Sequence, residues 1–130
     1  MTSGIHYRQH GDLTVRHIEG SPAFEELEEA IRQNYRSPTS NVCWVLLPGA
    51  SAKHLNVKQA KELALLTGSL AEETPGVKSA IVAPEHFEYA MGRIIETHSG
   101  LLGLPFDVKV FRTRGEAADW LGVDPEALAL

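Results

Sequence analysis

Six consecutive residues, Val42-Cys43-Trp44-Val45-Leu46-Leu47, carry no polar alternation and stop at Pro48-Gly49. A strand with one wet face alternates, so an unbroken apolar run of strand length reads as a strand covered on both faces, as in a parallel sheet packed between helices. Val77 to Ala83 is another short, mainly apolar strand, and Asp107 to Arg112 reads as the last strand. Ahead of them, Ile5 to His10 and Leu13 to Ile18 flank Gly11-Asp12, a two-residue turn suited to a hairpin.

The segments between these strands repeat at helical spacing. Phe24, Leu27, Ile31 and Tyr35 lie opposite Glu25, Glu26, Glu29, Arg32 and Arg36, and Ser21-Pro22 supplies an N-cap with proline at the first helical position. Asn56 and Gln59 form a capping box before the stripe Val57, Ala60, Leu63, Ala64, Thr67, Leu70 and Ala71. Pro84 opens a third helix with Phe87, Ala90, Met91, Ile94, Ile95 and His98 facing inward. Thr113 and Glu116 form another box before Ala117, Trp120 and Leu121, and Gly122 is the stop. The order ββαβαβαβα predicts an α/β fold. It has a mixed, mostly parallel sheet of about five strands with about four helices, right-handed crossovers, and only the first strand antiparallel.

A chain of 130 residues with 43% hydrophobic content is the size of one domain, so residues 1–130 are expected to form a single domain, continuous from about Gly4 to Val123. Twelve Lys and Arg against seventeen Asp and Glu give a net charge of -5, and no cationic run exceeds a pair. That composition argues against nucleic acid, whose affinity comes from clustered cations. The lone Cys43 lies in an apolar run, as a small core hydrophobe does. No apolar run approaches the ~20 residues that span a bilayer, and the first residues lack a charged segment leading into an apolar one. A cytoplasmic protein without integral membrane association is expected.

Ile81-Val82-Ala83-Pro84-Glu85-His86-Phe87-Glu88-Tyr89-Ala90-Met91-Gly92-Arg93, then Leu104-Pro105-Phe106-Asp107-Val108-Lys109-Val110-Phe111-Arg112 and Glu116-Ala117-Ala118-Asp119-Trp120-Leu121-Gly122, together resemble the bacterial SpoIIAA-like family related to STAS domains. A weaker likeness at Gly11-Asp12-Leu13-Thr14-Val15 extends the resemblance over most of the chain. The resemblance implies a four-turn βα superhelix with helices packed on the sheet, used for binding and regulation, not catalysis. Relatives that antagonise anti-sigma factors carry an acidic residue close before a phosphorylated serine after the central strand. Here Leu47-Pro48-Gly49-Ala50-Ser51 occupies that neighbourhood, with Leu46 where many members have an aspartate.

Parallel sheets bind ligands beyond the carboxyl ends of their strands. Ser51, Lys53, His54, His86, Arg112 and Arg114 should gather on that rim, beside helix starts whose free N–H groups favour anions. They form the candidate ligand-binding set, for a small anionic ligand. The competing function is a small enzyme with His54 or His86 as general base, although no second catalytic group stands at a defined spacing. Cys43 inside its strand is no nucleophile, and His6, His10 and His17 lack the spacing of a metal set, so neither a catalytic residue nor a cofactor is assigned. The apolar residues Phe87, Met91, Ile94, Ile95, Leu101, Leu102, Leu104 and Phe106 exceed one helix stripe and suggest core packing, an acyl-chain pocket or a subunit contact. A homodimer is expected, and as binding partner either another protein or a small apolar or anionic ligand.

Overall fold

The computed structural model describes residues 4–34, 41–71, 77–103 and 106–129. Strands β1 (Gly4–His10) and β2 (Leu13–Glu19) form the antiparallel hairpin, with His10 opposite Leu13 across the two-residue turn. Gly11 there has φ 57°, a left-handed conformation that glycine adopts without steric cost. Helix α1 (Phe24–Asn34), β3 (Asn41–Leu46), α2 (Val57–Ala71), β4 (Val77–Val82), α3 (His86–Leu102), β5 (Phe106–Phe111) and α4 (Arg114–Leu121) follow. The sheet runs in chain order, β1-β2-β3-β4-β5, and every pair after the first is parallel. The predicted α/β class, element order and strand directions are those observed.

Strand alternation sorts the sheet into two faces. Leu13, Val15, Cys43, Val45, Ala80, Val82 and Phe111 form one, packed against Ala117, Ala118 and Leu121 of α4. Ile18, Trp44, Leu46, Ser79, Ile81, Phe106 and Val108 lie on the other, beneath α1, α2 and α3. Helix starts follow the predicted chemistry in two cases. Asn56 and Gln59 exchange reciprocal bonds of 2.8 and 3.0 Å, and the Thr113 hydroxyl accepts the Glu116 N–H at 3.2 Å.

Three sequence expectations are corrected. Helix α1 starts at Phe24, not Pro22: Glu26 accepts the Ala23 N–H at 3.2 Å, and buried Pro22 instead offers its carbonyl to His54. Regular structure also continues past Val123 into a 3-10 turn, Pro125–Leu128, whose Leu128 is wholly buried against the α4 face. Buried His17 holds this turn, its Nε2 donating to the Leu128 carbonyl at 2.8 Å. Arg8 adds a 2.7 Å bond to the Ala129 carbonyl.

The third correction concerns the roll of α3. Phe87 and Ala90, predicted to face inward, are exposed, while Glu88, Met91, Gly92 and Ser99 are buried. Gly92 is the cause: a Cβ there would stand 2.6 Å from Val110 Cγ2, so the helix sits on β5 at its smallest residue. Residues four apart share a helix face, and bringing Gly92 against the sheet carries Glu88 inward with it. Tyr35, Leu104 and Pro105 lie outside the described residues.

Candidate functional site

The loop after β3 closes back onto the sheet end, where the Ser51 N–H donates to the Gly20 carbonyl at 2.9 Å. Ser51 Oγ accepts the Lys53 N–H at 3.2 Å, and His54 Nε2 donates to the Pro22 carbonyl. On the far side of the rim, His86 Nδ1 lies 3.5 Å from an Arg112 nitrogen, and the Arg112 guanidinium sits 4.2 Å from the centre of the Tyr89 ring. Lys53 and Arg114 are exposed. The six predicted residues thus fall into two groups, Ser51-Lys53-His54 and His86-Arg112, with Arg114 at the start of α4. Among the described residues no hydrogen bond joins the two groups.

The strand order bears on where a ligand fits. A rim crevice opens where successive crossovers depart in opposite directions and the strand order reverses. This sheet has no reversal. Three successive helices therefore cover one face, and concavity lies beneath them.

A partly open cavity of about 130 Å³ lies there. Ile18, Trp44, Leu46 and Ile81 form its floor, Leu27 and Ile31 of α1 and Leu63 of α2 its roof, and Met91 and Ile95 its α3 wall. Within this apolar lining stands one carboxylate, Glu88, 5% exposed. Its Oε2 accepts the Ala52 N–H at 2.9 Å, tying α3 to the loop after β3 at the rim end of the cavity. The Thr67 hydroxyl, also on the wall, donates back to the Leu63 carbonyl at 2.9 Å. Of the apolar residues singled out in the 87–106 segment, Met91, Ile95 and Phe106 line the cavity, whereas Phe87, Leu101 and Leu102 are exposed. Sequence periodicity missed Glu88 because an acidic residue beside Phe87 reads as solvent-facing; the signal was Gly92, four residues on.

Two further groups complete the electrostatics of the sheet. Arg16, 5% exposed, donates from Nε to Asn34 Oδ1 at 2.9 Å and lies 4.8 Å from the centre of the Tyr7 ring. Burial pushes its guanidinium below the ordinary value, partly offset by Tyr7. Burial pushes the Cys43 thiol up to about 12, which leaves it an inert core group. Among the described residues no cluster of three or more His, Cys, Asp and Glu side chains could hold a metal. No described helix is long and apolar enough to cross a membrane.

A five-stranded mixed sheet in unbroken chain order, with three helices on one face and α4 on the other, defines an α/β fold of the SpoIIAA-like type. An uncharacterised protein of the DUF3478 family with a SpoIIAA-like fold, from Shewanella loihica PV-4, superimposes over 92% of this chain and 93% of its own, with a TM-score of 0.50 and 16% sequence identity. At that identity the likeness establishes the fold alone. No protein-family model matches the sequence, and comparison with curated proteins gives no match.

Proposed function

We propose that the protein is a non-enzymatic binding module whose ligand is a small apolar molecule held between the sheet and helices α1 to α3. The observation that carries this reading is the apolar cavity of about 130 Å³. An enclosed apolar space of roughly 150 Å³ holds benzene, so this partly open one of similar volume suits a ring or a short aliphatic body and is too small to enclose a long acyl chain. Close packing normally removes such space from a domain interior.

A catalytic reading has less support. His54 Nε2 is committed to the Pro22 carbonyl, and the group beside His86 is the cation Arg112, which cannot act as its acidic partner. The small-anion reading is weaker too, since the rim cations are split between two groups and Arg112 lies over Tyr89.

Titration of isotopically labelled protein with toluene or benzyl alcohol, followed by NMR, tests the cavity. Saturable shifts at Trp44, Met91 and Ile95 are expected in the wild type. They should vanish in Ala60→Leu, which fills the cavity from α2, where Ala60 is 1% exposed. Shifts that fail to saturate, or that persist unchanged in a folded Ala60→Leu protein, would reject the reading.

A further inference from the structure

We propose that the cavity takes small amines: molecules with a ring-sized or short aliphatic body and one protonated amino group that seats on Glu88. This inference rests on the reading of the cavity as an apolar-ligand site and names the ligand class. Glu88 is 5% exposed, accepts one hydrogen bond, from the Ala52 N–H, and forms no ion pair among the described residues. A carboxylate offers about four lone-pair sites, so the protein fills only part of its capacity. Moving such a charge out of water costs several kcal/mol unless a counter-charge or donors replace the lost hydration. Placement in the first turn of α3 recovers part of this through the helix dipole.

The rest of the lining supplies little of the remainder. Its side chains are overwhelmingly aliphatic or aromatic, the Thr67 hydroxyl is spent on its own helix, and neither the Ser79 hydroxyl nor the Trp44 indole N–H, the other donors on the lining, bonds to Glu88. A ligand that brings its own donors therefore binds more tightly than one that does not. An ammonium group carries three and a full positive charge, and its bond to a carboxylate is roughly twice as strong as a neutral one. An anionic ligand would meet Glu88 as a like charge in a water-poor space, and a pure hydrocarbon would leave the carboxylate as it is. The ring or short chain behind the amine would fill the space between Trp44, Ile81, Leu63 and Ile95.

Calorimetric titration of the full chain at pH 7 with benzylamine, benzyl alcohol and benzoate tests this on one common ring. Benzylamine should bind at least about ten-fold more tightly than benzyl alcohol, a factor of ten corresponding to about 1.4 kcal/mol. Benzoate should not bind. Glu88→Gln keeps an acceptor for the Ala52 N–H and should abolish the preference for the amine, the amine losing at least several-fold more affinity than the alcohol. Equal affinity of amine and alcohol for the wild type, or an intact preference in Glu88→Gln, overturns the amine assignment while the cavity reading stands. No saturable binding of any of the three overturns both. If Glu88→Gln does not fold, Glu88→Asp draws the charge back by one methylene; a several-fold loss for benzylamine alone supports the assignment, and an unchanged amine affinity overturns it.

Discussion

An added methyl at Gly92 would meet Val110 Cγ2 at 2.6 Å and Cβ at 3.0 Å, both on a buried strand residue that packing holds in place. Alanine favours helix over glycine by about 1 kcal/mol, but overpacking a core costs about 1–3 kcal/mol, so the clash should win. Gly92→Ala is expected to lower the urea midpoint; a midpoint at or above wild type would show that α3 can lift off β5 freely. Cys43 offers a test by pH. Its thiol is raised from 9.0 to about 12 by burial, so the folded state keeps a proton that the unfolded state loses. Stability from this group is present in full below pH 9 and falls between about 9 and 12, at up to about 1.4 kcal/mol per pH unit. Urea denaturation across that range should show a shallower loss in Cys43→Ala than in the wild type, and parallel curves would remove the effect.

At the scale of elements, the short C-terminal turn contributes a fully buried core residue. Leu128 is wholly buried and belongs to the same cluster as Val15, Cys43 and Phe111, though it comes from a four-residue 3-10 turn. Leu128→Ala should cost about 2–5 kcal/mol in chemical denaturation, as core leucines do, and a loss below about 1 kcal/mol would mean that the turn is not docked in solution. The Thr113 cap on α4 is a smaller term, with Thr113→Ala expected to cost about 1 kcal/mol. Caps are local in chain and so were readable beforehand: both boxes join residues three apart, Asn56 with Gln59 and Thr113 with Glu116. The docked turn was not, because Pro125-Glu126-Ala127-Leu128 is too short for a period and owes its place to His17, more than a hundred residues away in the chain.

For the molecule as a whole, the two sheet edges differ. Glu96 of α3 accepts the Val110 N–H on β5 at 3.3 Å, blunting that edge, whereas β1 ends the sheet on the other side with Tyr7 58% exposed. Open edges invite pairing with another chain, so the homodimer we propose would form through β1. Light scattering at high protein concentration should report a dimer, and Gln9→Pro on β1 should return it to monomer; a monomer throughout would end the proposal.

Element type and order were legible in the amino-acid sequence because they follow from period and punctuation: unbroken apolar runs for buried strands, a repeat near 3.6 for helices, Gly, Pro and capping pairs at the ends. The parallel sheet followed from alternation of those elements, whereas the SpoIIAA-like fold was what the family resemblance of the 81–93, 104–112 and 116–122 segments implied. The cavity and its carboxylate were decided in three dimensions. One glycine's approach to Val110 set the roll of α3, and that roll turned Glu88 from a residue that reads as solvent-facing into a charge buried among apolar side chains. Periodicity reports which side of a helix is greasier on average; which side lies down is settled by the closest contact it must make.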